Sequence, residues 1–145
     1  MRIAVLNGPN LNLLGTREPE VYGRTTLAEL EQQVRAEAVS LGVELAWLQT
    51  NHEGAFVDAV QGLRGQADGA LINAAAFTHT SLAIRDAVLA VRVPFVEVHL
   101  SNIFAREPER RYSRLADLAL GIVAGFGPAG YVVGLRALVA KLRGP

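Results

Sequence analysis

The sequence predicts an α/β fold in which a five-stranded parallel sheet is covered by helices on both faces. Three observations carry that expectation. Short apolar runs alternate with stretches of helical character along the whole chain. The helical stretches are punctuated by capping and helix-breaking residues. No repeat, low-complexity tract or linker interrupts the alternation, so residues 1–145 are expected to form a single domain.

The strand-like runs are RIAVL (2–6), VELAWLQ (43–49), GALINA (69–74), PFVEVHL (94–100) and ALGIVAG (119–125). The first helix, 26–42, opens on the capping box Thr26-x-x-Glu29 and stops at Gly42. The second lies near 53–65, with Asn51 or His52 before it and Gly65 at its end. The third, near 79–92, ends before Pro94. The last, 128–143, has Pro128 at its start and Gly144 after it. Strands alternating with helices imply parallel pairing with helices on both faces. Five strands fit a flavodoxin-like three-layer sandwich with strand order 2-1-3-4-5. In that order ligands bind beyond the carboxyl ends of the strands, at the switch point between strands one and three.

Half of the residues are hydrophobic and 19% are charged, enough for a core and unlike a disordered chain. Formal net charge is zero, without the basic footprint of a nucleic-acid binder. There is no cysteine, hence no disulfide and no thiolate metal site. The first residues, MRIAVLNGPN, contain no apolar stretch of signal-peptide length, and no run approaches the roughly 18 residues of a membrane span. A cytoplasmic protein without membrane contact is expected.

Residues 6–23, LNGPNLNLLGTREPEVYG, form a polar connection about three times the usual 4–6 residues. Connections of that length are functional or disordered. Polar residues also gather at the other carboxyl ends of the sheet. Strand three ends at Asn73, and strand four carries Glu97 and His99 on one face, followed by Ser101 and Asn102. A strand covered on both sides is normally apolar. Taken alone, Glu97 and His99 read as a mutual pair or a cap; in the company of the other rim residues they read as part of a site. His79 alone reads as structural, Asn12 as a turn former and His52 as a cap or surface residue. Arg85 and Asp86 read as a solvated helix face. The basic run Arg106, Arg110, Arg111 and Arg114 reads as a solvated loop or a carboxylate clamp. Arg17 and Tyr22 are the most suggestive pair. Ionising a free tyrosine at pH 7 costs about 4 kcal/mol, and one guanidinium about 4 Å away contributes roughly the same at an effective dielectric of about 20.

Four blocks now combine: LNGPNLNLLGTREPEVYG, QTNHEGAFVDAV (49–60), LINAAAFTHTSLAIRDA (71–87) and EVHLSNIFAREPERRYS (97–113). With GYVVGLRAL (130–138), they resemble the type II 3-dehydroquinate dehydratases over nearly the whole chain. The resemblance implies the third step of the shikimate pathway toward chorismate. There 3-dehydroquinate becomes 3-dehydroshikimate by anti elimination through an enolate, without cofactor or metal. It implies a dodecamer of four trimers. It also implies that Tyr22 removes the C2 proton and Arg17 supports its phenolate. His99 would protonate the leaving hydroxyl, oriented by Glu97, and Asn10 would hold a water against the enolate oxygen. Asn73, His79, Leu100, Ser101 and Arg110 would bind the substrate, and Asp86 would reach a neighbouring subunit's site. The long connection would then set up the base and close over the substrate, with Gly15 and Gly23 as hinges. One departure stands out: NAAAF replaces the NPGAY or NAGG of many members, which changes the turn after Asn73 and removes a hydroxyl at Phe77.

Two rivals share features of this pattern. A flavodoxin-like FMN carrier needs a Ser/Thr-rich phosphate loop, which NGPNLNLLG lacks. A metal-dependent hydrolase using Glu97, His99 and His79 would have suitable ligand types, but the spacing matches no HExxH-like motif. A third route, through a lysine imine, has only Lys141 to use. Lys141 is expected at the end of the last helix, roughly 20 Å from the strands' carboxyl ends.

Overall fold

A computed structural model describes residues 1–16 and 18–145, with the side chains of Val21 and Tyr22 outside the description. Five parallel strands are ordered β2-β1-β3-β4-β5. They are β1 (Arg2–Asn7), β2 (Glu44–Gln49), β3 (Gly69–Asn73), β4 (Phe95–His99) and β5 (Gly121–Ala124). The helices are α1 (Pro19–Tyr22), α2 (Leu27–Leu41), α3 (Glu53–Gln61), α4 (Phe77–Thr80), α5 (Leu82–Val91) and α6 (Ala129–Arg143). Order and pairing are those expected from the alternation of runs.

The period of two along each strand divides the core. Ile3, Val5, Leu71, Val96 and Val98 pack with Leu30 and Val34 of α2 and Leu135 and Leu138 of α6. Ala4, Leu6, Ala70, Ile72 and Phe95 face the other way, onto Phe56 and Val60 of α3 and Ile84 and Val88 of α5. On β4, Glu97 and His99 therefore share the α3/α5 side with Phe95. The single tryptophan, Trp47 on β2, lies against Tyr131 of α6, with ring centroids 6.1 Å apart.

Local chemistry sets the helix ends. Thr26 and Glu29 exchange the two hydrogen bonds of a capping box, and Gly42 closes α2 in the left-handed region at φ 68°. The expected second helix is shorter at its end, because α3 stops at Gln61 and residues 62–66 continue as turns. The expected third helix is two helices. Ser81 is extended, and its hydroxyl accepts from Ile84 N to cap α5. His79 consequently lies on α4, before the break, rather than at the start of α5. His52 precedes α3 without capping it through its side chain and is exposed.

At the carboxyl rim, Asn7 stands opposite Gln49 on one side and Asn73 on the other. Gly8 N donates to Asn73 O at 2.8 Å. A Cβ at Gly8 would lie 2.2 Å from the Ala74 carbonyl oxygen, so the β1 and β3 turns touch through a position that only glycine fills. Gly8→Ala should lower the unfolding free energy by roughly 2 kcal/mol. An unchanged urea midpoint would show that the two turns separate freely.

Candidate active site

The rim of the sheet opens into a cleft of about 750 Å³, its open mouth included. Of the residues expected there, Asn10, Asn73, His79, His99, Leu100, Ser101 and Arg110 line it. Glu97 lies behind His99 and is fully buried. Asp86 is exposed on α5 and is not part of the lining. Arg17 and the Tyr22 side chain lie outside the described residues, while the Tyr22 backbone ends α1 just before Gly23 at φ 78°.

The floor of the cleft is a buried polar chain with a fixed sense. Asn7 Nδ2 donates to the Leu48 carbonyl at 3.1 Å, which turns Asn7 Oδ1 toward α6. The Tyr131 hydroxyl donates to that oxygen at 2.6 Å and accepts from Asn73 Nδ2 at 2.8 Å. Asn73 Oδ1 then accepts from Ala75 N at 3.1 Å. Backbone groups end the chain on both sides, so neither amide can be flipped without losing a bond. Burial pushes the Tyr131 phenol above the ordinary tyrosine range, with the Asn73 hydrogen bond acting in the opposite sense. The hydroxyl is thus a donor throughout the neutral range.

The first loop is organised from β2. Gln49 Nε2 donates to the Gly8 carbonyl and to Asn51 Oδ1, both at 3.1 Å, and Asn51 Oδ1 accepts from Asn10 N at 2.9 Å. Asn10 itself is left-handed at φ 66°, a conformation Asn tolerates. Asn12, read as a turn former, lies on a 3₁₀ turn, Leu11–Leu13, with its Oδ1 3.4 Å from Gln49 Nε2.

The opposite wall carries the ionisable groups. His99 Nε2 lies 3.2 Å from Glu97 Oε1, both side chains being almost wholly buried. Neither His99 Nε2 nor Glu97 Oε2 has an aligned hydrogen-bond partner, and Thr78 Oγ1 is in the same position. Glu97 Oε1 accepts from Ser113 Oγ. His79 Nδ1 is 2.7 Å from the Tyr112 carbonyl, so Nδ1 carries the proton and Nε2 is left as the acceptor. Arg110 brings a cation to the cleft and pairs with Glu107.

The expected solvated face of α5 holds more structure than that. Arg85 binds Asp117 through both guanidinium nitrogens, at 2.6 and 2.9 Å, and donates to the Arg114 carbonyl at 2.7 Å. Paired with Arg85, the Asp117 carboxyl is held below its ordinary range. Arg114 N in turn donates to the Thr78 carbonyl at 2.9 Å, tying residues 113–117 to α4. Among the described residues, no group of three His, Cys, Asp or Glu side chains is arranged to hold a metal ion. No helix among them is long and apolar enough to cross a membrane.

Sequence reasoning assigned no role to Asn7, Tyr131, Gln49 or Ser113, although all but Asn51's partner Gln49 are buried under the cleft. Asn7 and Gln49 did carry a signal: both are polar at the carboxyl ends of neighbouring strands.

The altered turn after Asn73 leaves a trace in the backbone. Ala75 stands at φ 50°, where a side chain costs about 1–2 kcal/mol and glycine costs little. Ala75→Gly should raise stability by roughly 0.5–1 kcal/mol once the extra entropy of an unfolded glycine is subtracted. A lower urea midpoint would mean that the Ala75 methyl, packed against the core, contributes more than its backbone costs.

Comparison with known proteins agrees with this geometry. A family model described as dehydroquinase class II matches residues 1–139. The chain is 57% identical over 142 residues to a 3-dehydroquinate dehydratase of Gemmatimonas aurantiaca, covering 98% of this chain and 93% of that protein. It is 57% identical to catabolic 3-dehydroquinase 1 of Aspergillus fumigatus, covering 97% and 94%. The crystal structure of a type II dehydroquinase from Butyrivibrio crossotus superimposes with a TM-score of 0.94 at 39% identity, covering 97% of this chain and 98% of that one. With its sheet order, its rim cleft and these likenesses, the chain belongs to the type II 3-dehydroquinate dehydratase family.

Proposed function

We propose that the whole chain acts as a single catalytic domain that dehydrates 3-dehydroquinate to 3-dehydroshikimate by anti elimination through an enolate. The observation that carries this is convergence. Asn10, Asn73, His79, His99, Ser101 and Arg110 come from five separate segments and line one cleft. A polyhydroxylated carboxylic acid needs that mixture of amide, hydroxyl, imidazole and guanidinium groups.

In this reading Tyr22 removes the C2 proton, its phenolate favoured by Arg17. The proton is acidic only if charge on the ketone oxygen is stabilised as it develops. Asn10 holds a water there. His99, oriented by Glu97, gives a proton to the departing hydroxide, so base and acid act from opposite sides of the ring. Asn73, His79, Leu100 and Ser101 hold the hydroxyl face, and Arg110 takes the carboxylate. The residues suffice without metal or cofactor. The enzyme serves the third shikimate step in the cytoplasm. It works as a dodecamer of trimers, in which the exposed Asp86 meets a neighbour's cleft.

Addition of 3-dehydroquinate to the purified protein should produce the ultraviolet absorbance of a conjugated enone; a flat trace would end this reading. Tyr22→Phe should keep the fold and lose more than tenfold in kcat, more than about 1.4 kcal/mol of barrier. A variant with a tenth or more of wild-type kcat would remove Tyr22 from the role of base.

Lys141 provides the contrasting test. It is exposed in the last turn of α6, where Leu142 packs over Gly69 at the amino end of β3, the rim away from the cleft. Borohydride added with substrate should therefore leave activity and protein mass unchanged, and Lys141→Ala should stay active. A covalent adduct at Lys141 would replace the enolate with an imine.

A further inference from the structure

We propose that Ser113 is a positioning residue that fixes the carboxylate of Glu97 and, through the charge of that carboxylate, the tautomer of His99. The inference rests on the reading of His99 as proton donor given above, and its evidence is the valence of one hydroxyl. Ser113 Oγ accepts from Leu115 N and Ala116 N, each at 3.1 Å. Both of its lone pairs are occupied, so its single hydrogen has only one remaining use, as the donor to Glu97 Oε1. A serine hydroxyl normally rotates to suit its surroundings; this one has no freedom left. Among the described residues it is the only hydrogen-bond donor to the Glu97 carboxylate.

The consequence passes along β4. Glu97 Oε1 is obliged to accept, and it is the oxygen that lies 3.2 Å from His99 Nε2. No aligned hydrogen bond joins the two, but the negative charge of a carboxylate oxygen so close to that nitrogen favours the tautomer with its proton on Nε2. Ser113 is itself held from outside the cleft. Arg85 of α5 grips Asp117 and the Arg114 carbonyl, and Arg114 N is bound to Thr78 O. The pair on β4 is thereby referenced to the helical layer as well as to the sheet.

Three histidines make the test readable by nitrogen NMR of the imidazoles. In the wild type, His99 should show one tautomer, protonated on Nε2. In Ser113→Ala it should show a mixture, while His79, which holds the Tyr112 carbonyl next to the substituted position, keeps its signals. Should Ser113→Ala fail to fold, Ser113→Cys keeps the volume with a weak donor and should show the same mixture. With 3-dehydroquinate, Ser113→Ala should lower kcat about tenfold, hold KM within twofold and retain hydrogen exchange at C2. Ser113→Thr, which keeps the hydroxyl, should recover kcat to within threefold of wild type. Unchanged His99 signals, or signals of His79 moving together with those of His99, would overturn the proposal. If Ser113→Ala changes the His99 signals as expected while the wild type forms no enone from 3-dehydroquinate, the positioning role stands and the functional reading is removed instead.

Discussion

The cleft depends on one phenol hydroxyl. Tyr131 reaches from α6 to the place where β1 and β3 end side by side, and its single oxygen donates to Asn7 and accepts from Asn73. At a switch point neighbouring strands send their connections to opposite faces, and the space between them would otherwise leave two buried amides without partners. The hydroxyl satisfies both, and because backbone groups terminate the chain it also dictates which way each amide faces. Asn73 therefore meets the cleft with its remaining N–H and lone pair in set positions. The Gln49 amide does a similar task one strand over, holding the Gly8 carbonyl and, by way of Asn51, the Asn10 backbone.

The two walls are built on different physical terms. The Asn7–Tyr131–Asn73 wall is neutral, and each amide in it has partners on both its nitrogen and its oxygen. The β4 wall places a carboxylate and an imidazole out of water and leaves an atom of each without an aligned partner. Burying groups of that kind is costly unless something is gained by it. In the reaction proposed above the two groups are used together, His99 as the proton donor and Glu97 as the residue that orients it.

Much of this was legible in the sequence because it depends on neighbours along the chain. The strands, the capping box at Thr26, and the placing of Asn73, Glu97 and His99 at strand ends all follow from local pattern and topology. What stayed hidden depends on distant partners. Ser113 and Tyr131 look like ordinary loop and helix residues until the fold brings them to Glu97 and Asn73. The break at Ser81 was missed because TSLAIRDA has helical periodicity, and only the hydroxyl's preference for capping Ile84 N ends one helix and begins the next. Arg85 was read as solvated because its partner, Asp117, lies 32 residues away. The Arg17–Tyr22 pairing falls outside the described residues and rests on the family resemblance.

The contact between Trp47 and Tyr131 gives the molecule an optical reporter. A lone, half-buried indole lies 6.1 Å from, and tilted 31° to, the ring whose hydroxyl joins Asn7 to Asn73, so its emission is sensitive to that ring's surroundings. Its colour and lifetime register solvent entering beneath the cleft. Because Trp47 stands on the edge strand β2 and packs on the α2/α6 side, fluorescence follows that edge and α6 separately from the helical layer around α3 and α5.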